Sequence, residues 1–118
     1  MQDKMLSELS KRAKRAGVGS LIECRRAESN SLKIGDIRAS IDFTLAFAVV
    51  HEVPDIPHLF EEVFQALKPG GIMLMADPAS RFPQADFDAA LTSAKKAGFT
   101  IVNSPDIWRS VSVVMKKP

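Results

Sequence analysis

Residues 60–77 read Phe-Glu-Glu-Val-Phe-Gln-Ala-Leu-Lys-Pro-Gly-Gly-Ile-Met-Leu-Met-Ala-Asp, and no other stretch constrains the fold of this chain as tightly. Leu59, Phe60, Val63, Phe64 and Leu67 fall on one helical stripe, so the first half is an amphipathic helix with one buried face. Lys68-Pro69-Gly70-Gly71 stops it. The lysine suits the negative end of the helix, the proline cannot continue it, and Gly70 or Gly71 supplies a left-handed residue. Residues 72–76 then read as a buried strand, ended by Asp77-Pro78. Helix, sharp stop and buried strand form half of a βαβ unit.

The flanking segments extend this pattern. Asp55 is placed to cap the helix, with Pro57 in its first turn. Residues 41–50, Ile-Asp-Phe-Thr-Leu-Ala-Phe-Ala-Val-Val, are nearly continuously apolar and rich in β-formers, which predicts a strand buried on both faces. Near the start, Met5, Leu6, Leu9, Ala13 and Ala16 predict a helix over residues 4–16, with Asp3 to cap it and Gly17 to stop it. Residues 20–26 read as a strand in which Cys24 is a buried packing residue, and 28–40 as a loop. Downstream, a helix is expected over 84–97 with Gly98 closing it, then strands at 99–103 and 108–115 around a Pro105-Asp106 turn. Strands alternating with helices imply a mainly parallel sheet. The last two strands are joined too tightly for a crossover, so the final one must be antiparallel.

Size and composition narrow the function classes. A chain of 118 residues, 46% hydrophobic and 25% charged, makes at most a single domain, residues 1–118, with a modest core. The net charge of +2 indicates neither a nucleic-acid nor a membrane partner. Its distribution is uneven: residues 1–26 hold seven basic against three acidic side chains, leaving −2 on the remainder. A solvated helix face accounts for this, and nucleic acid is not an expected partner. One cysteine precludes an internal disulfide and fits a reducing cytoplasm. The start carries no apolar signal region, and the longest apolar run, residues 45–50, is too short to span a bilayer. His51 has no second ligand at metal spacing, so no metal is expected.

Four segments in this order resemble the class I S-adenosylmethionine-dependent methyltransferases. Ile41-Asp42-Phe-Thr-Leu-Ala-Phe with Val50-His51-Glu52-Val53-Pro54-Asp55 is similar to that family's fourth strand and following loop. Leu67-Lys-Pro-Gly-Gly71 with Ile72-Met-Leu-Met-Ala-Asp77 resembles its fourth-helix end and fifth strand. Glu28-Ser-Asn-Ser-Leu-Lys-Ile34 resembles the acidic stretch after the third strand. Met5-Leu-x-x-Leu-x-x-Arg-Ala-Lys-Arg-Ala-Gly17 resembles the helix between the second and third strands. The likeness is strongest to the ubiquinone/menaquinone-type branch, which methylates small molecules. It implies an α/β, partial Rossmann-like fold with S-adenosylmethionine as cofactor and a small-molecule methyl acceptor as partner. By the same resemblance, Glu28 would take the adenine amino group, Ser29 would offer a backbone amide beside it, and Ala46 and Phe47 would line the methionine end. His51 and Glu52 would face the substrate mouth, and no catalytic residue is assigned.

One family feature has no counterpart. All six glycines, at 17, 19, 35, 70, 71 and 98, are accounted for by other contexts, and Gly17-Val-Gly19 follows a helix where the cofactor loop must follow a strand. The acid that ends the family's second strand is also absent. The resemblance therefore begins just past that strand, with the first two strands missing. In the family's sheet order those strands lie between the third and the fourth. Residues 20–26 are then left without a neighbour and residues 41–47 with an open apolar edge, which recruits another strand. The expected consequences are an incomplete or inactive enzyme and self-association, either as a homo-oligomer with or without exchanged strands or with a missing N-terminal part. The rival reading is a non-catalytic module that keeps the fold remnant and assembles through that edge.

Overall fold

The computed structural model describes residues 3–23, 25–28 and 30–118, and of Asp3 the backbone only. Its contacts divide the chain into two compact units, Met1–Lys33 and Ile34–Pro118.

The first unit holds helix α1, Asp3–Arg15, whose Ala13 is buried and whose last turn carries Arg12, Lys14 and Arg15. Cations there oppose the negative end of the helix dipole. Gly17 takes a positive φ of 77° after the helix, as its predicted role as a stop requires. The strand expected at 20–26 does not form among the described residues. A 3-10 turn, Gly19–Leu21, occupies its start, and the one bridge nearby joins Glu28 to Ser31 locally. Leu21 and Ile22 belong to no ladder among the described residues, and a strand without a ladder does not persist. Cys24 and Ser29 lie outside the described residues.

The second unit is a four-stranded sheet with two helices. Its strands are β1, Ile41–Phe47; β2, Leu67–Pro78; β3, Thr100–Asn103; and β4, Ser110–Lys116, in spatial order β1-β2-β4-β3. β1 runs parallel to β2, while β4 inserts antiparallel to both β2 and β3. Three strands thus share one direction and the last opposes them, as the short final connection demands. Helix α2, Ile56–Ala66, is the crossover from β1 to β2, and α3, Gln84–Ala97, the crossover from β2 to β3.

Local chemistry explains the element ends. The Asp55 carboxylate accepts the His58 backbone N–H at 3.1 Å and caps α2. Leu67 already pairs with Ile41, but the next pair is Phe43 with Ile72, so residues 68–71 bulge out of the ladder. The predicted sharp stop is this bulge. Gly70 supplies the positive φ (85°), and a Cβ on Gly71 would stand 2.8 Å from the Lys68 carbonyl oxygen. Lys117 ties the bulge down: its Nζ donates to the Phe64 and Leu67 carbonyl oxygens at 2.8 Å each, satisfying groups that the end of α2 leaves open. Gly98 ends α3 at φ 119°, and an added Cβ would meet Phe64 Cζ at 2.6 Å. Gly98→Ala should therefore lower stability by about 2–3 kcal/mol, from left-handed strain plus overpacking, measured by urea unfolding; a cost within experimental error would contradict this placement.

The core lies on one face of the sheet. Met73, Met75, Val113 and Met115 are fully buried there with Phe60, Val63, Phe87, Ala90 and Ala94 of the two helices. Phe99 meets Phe60 and Phe64 edge to face, at centroid distances of 6.3 and 5.1 Å. The opposite face overturns the expectation that residues 41–50 are buried on both sides. β1 ends at Phe47, and Phe43, Leu45 and Phe47 are 54%, 57% and 59% exposed. The cause is topological: β1 is the terminal strand, and both helices of its unit lie against the other face.

Candidate functional site

The carboxyl ends of β1 and β2 lie side by side, because the register pairs Phe47 with Ala76. In open α/β sheets this is where ligands gather. Ala48 follows β1 in a left-handed conformation (φ 58°), and its N–H donates to the Ala76 carbonyl at 2.7 Å. That reversal turns the chain into a 3-10 turn, Val50–Glu52, which carries His51 over the end of β2. Val50 anchors the turn, being fully buried.

His51 and Asp77 form the centre of the site. Asp77 Oδ2 accepts the His51 backbone N–H at 3.0 Å and lies 2.5 Å from Nδ1 of the same residue. The Asp77 side chain is wholly buried and the His51 side chain is 10% exposed. An ionised carboxylate can only accept, so Nδ1 carries the proton and Nε2 keeps its lone pair. That is the tautomer a general base needs. Among the described residues, neither Nε2 nor Asp77 Oδ1 has a hydrogen-bond partner, although both are buried. Buried polar atoms are nearly always satisfied, so the two open valences call for partners at this strand end. Glu52 Oε1 stands 3.6 Å from Nε2, too far for a hydrogen bond.

His51 also lines a cleft of about 330 Å³ between the start of α2 and α3. Its walls mix apolar groups of Pro54, Ile56, Phe82 and Ala90 with the charged Arg81 and Asp86 and the hydroxyl of Ser93. Phe82 is buried and meets Phe87 edge to face at 6.0 Å.

The other expected site residues are divided between the two units. Glu28 is exposed in the first unit, where its carboxylate pairs with Lys33 Nζ at 3.5 Å. Ala46 is half-buried opposite Met75, and Phe47 is exposed. Glu52 is also exposed, with only its carboxylate near His51. Asp77 is the residue that the sequence reading did not pair with His51. The available signal was positional: each follows an apolar strand, and the two strands are consecutive and parallel.

The comparisons agree with this architecture. A family model described as a methyltransferase domain matches residues 1–75. No curated protein matches the chain. Among solved structures, the chain superposes on the [4+2]-cyclase SpnF with a TM-score of 0.82 at 15% identity, covering 99% of this chain and 64% of that one. It superposes on a SAM-dependent methyltransferase from Aquifex aeolicus with a TM-score of 0.81 at 16% identity, covering 99% and 65%. An S-adenosylmethionine-dependent methyltransferase from Mesorhizobium loti gives 0.76 at 19% identity, covering 98% and 76%. The chain thus spans just under two thirds of the first two structures. At these identities the superpositions speak to fold, and the matched family model, which covers more than half of the residues, speaks to ancestry. The chain belongs to the methyltransferase domain family.

Proposed function

We propose that this chain is the acceptor-side part of a small-molecule methyltransferase of the ubiquinone/menaquinone-type branch, in which His51, held by Asp77, takes the proton from the acceptor. The observation that carries the reading is the imidazole itself: Nδ1 is committed to a buried carboxylate, and Nε2, on a residue that lines the cleft, is unpartnered among the described residues. An acceptor hydroxyl or amine N–H fills the open valence at Nε2. As the proton arrives, Asp77 stabilises the imidazolium. The apolar part of the walls holds the acceptor body.

S-adenosylmethionine is the methyl donor implied by the family and by the names of the structural neighbours. We read the cradle that this chain offers it as incomplete. None of the six glycines lies in a strand-to-helix turn: Gly17 and Gly19 follow α1, Gly35 precedes β1, Gly70 and Gly71 sit in β2, and Gly98 caps α3. Glu28 is engaged by Lys33 instead of standing free. Glu28, Ser29, Ala46 and Phe47 therefore remain our assignment for the donor side, and turnover by this chain alone should be very weak.

Two measurements test the reading. Titration calorimetry with S-adenosylhomocysteine should show no binding tighter than about 1 mM, roughly −4 kcal/mol; micromolar binding would contradict an incomplete cradle. Any methyl transfer from labelled S-adenosylmethionine to small hydroxyl or amine acceptors should fall about 10²–10⁴-fold in His51→Ala. Unchanged turnover in that variant would remove His51 from the chemistry.

A further inference from the structure

The cleft beside His51 holds two charges that the proton transfer does not use. Arg81 and Asp86 both line it, and every residue of its walls belongs to the second unit. The two do not pair with each other, and neither side chain has a hydrogen bond or ion pair among the described residues. The backbone beneath Arg81 is well fixed. The N–H groups of Arg81 and Phe82 both donate to the Pro78 carbonyl, at 3.0 and 3.1 Å, and Phe82 is buried against Phe87. That turn sets Arg81 four residues beyond Asp77, which holds His51.

We infer that Arg81 is a specificity-determining residue of this cleft, and that the acceptor carries a carboxylate for it to hold, a role that rests on His51 being the base of the same site. The acceptor thus has two handles: a hydroxyl or amine N–H at Nε2 of His51, and a carboxylate on the Arg81 guanidinium. A guanidinium presents its N–H groups as a planar fork that matches the two oxygens of a carboxylate.

Charge balance selects the carboxylate. Asp86 lies in the first turn of α3, where the positive end of the helix offsets its negative charge. Arg81 has no such compensation and is the charge left for a ligand to meet. A ligand that fills the cleft strips water from the guanidinium, so a neutral acceptor would leave donors unpaired there. A phosphate dianion would satisfy Arg81 but bring a second negative charge into a cleft that Asp86 also lines. One negative charge fits both walls. The cleft volume of about 330 Å³ lies at the small end of ligand sites, so the two handles belong to one compact molecule.

Chemical-shift titration of the full chain tests this without cofactor or turnover. The probes are 3-hydroxybenzoate and its uncharged methyl ester, which share the phenolic hydroxyl and differ in the carboxylate. At low salt the acid should bind at least about 5-fold more tightly than the ester. Arg81→Gln should abolish that preference and leave the ester's affinity unchanged, and Arg81→Lys should restore part of it. Arg81 is exposed, so far-UV circular dichroism of both variants should match the wild type. Equal affinity for acid and ester in the wild type overturns the proposal, as does the absence of acid binding at about 10 mM. So does a preference that persists in Arg81→Gln. His51→Ala separates the two roles: it should weaken acid and ester alike. If it weakens neither while the preference still depends on Arg81, the role of His51 fails and that of Arg81 stands.

Discussion

Phe60→Ala is expected to lower the unfolding free energy by about 3–5 kcal/mol. Phe60 is completely buried, at the point where α2, α3 and the sheet converge. Its ring meets Phe99 edge to face at an interplanar angle of 73°, and Phe99 in turn packs on Phe64 at 84°. Truncation removes the transfer energy of the ring and leaves a cavity among partners held by backbone pairing, which cannot collapse to fill it. A unit of this size is stabilised by only roughly 5–10 kcal/mol. The variant should therefore unfold at markedly lower urea with an unchanged slope. A loss below about 1 kcal/mol would show that the aromatic cluster is not the core.

The second large effect concerns the buried carboxylate. In Asp77→Asn the side chain keeps its shape but gains two donors. The amide NH₂ would then face the Nδ1–H of His51 at the place where Oδ2 now lies 2.5 Å away. Relief comes from moving the imidazole proton to Nε2, so that Nδ1 accepts from the amide. The lone pair that serves the acceptor is thereby turned inward. Any turnover should fall by about 10²–10⁴-fold, and stability should fall by about 1–3 kcal/mol, because the His51 backbone N–H bonds the same Oδ2 and loses its acceptor with it. Asp77→Ala should cost more stability than Asp77→Asn, since both His51 donors would then be buried without an acceptor. Equal turnover in wild type and Asp77→Asn would mean that the carboxylate orients nothing.

How much of this was legible in the sequence follows from the range of each interaction. The cap at Asp55, the left-handed Gly70 and Gly98, and the extent of α3 are written by neighbours within a few residues. The direction of β4 follows from the short link before it. Residues 20–26 have the composition of a strand, but strand formation depends on a partner, and no ladder among the described residues includes them. The apolar run of β1 signals a site of burial, and whether both faces are covered depends on which layers pack there. The His51–Asp77 pair lies 26 residues apart in the chain. It exists only once β1 and β2 are in register and Ala48 has turned the chain back, so neither residue announces the other. Glu28, Ala46 and Phe47 were placed by resemblance, which carries over a family's positions and no contact that this chain makes.

Asp77 holding His51 with its proton on Nδ1 and its lone pair on Nε2 is the claim on which the chemistry rests. Long-range ¹H–¹⁵N correlation spectra of the imidazole, recorded on wild type and Asp77→Asn, measure this without need of cofactor or turnover. The wild type should give the Nδ1–H pattern, and the variant should shift to Nε2–H. A wild-type spectrum of the Nε2–H form, or one that Asp77→Asn leaves unchanged, would contradict it.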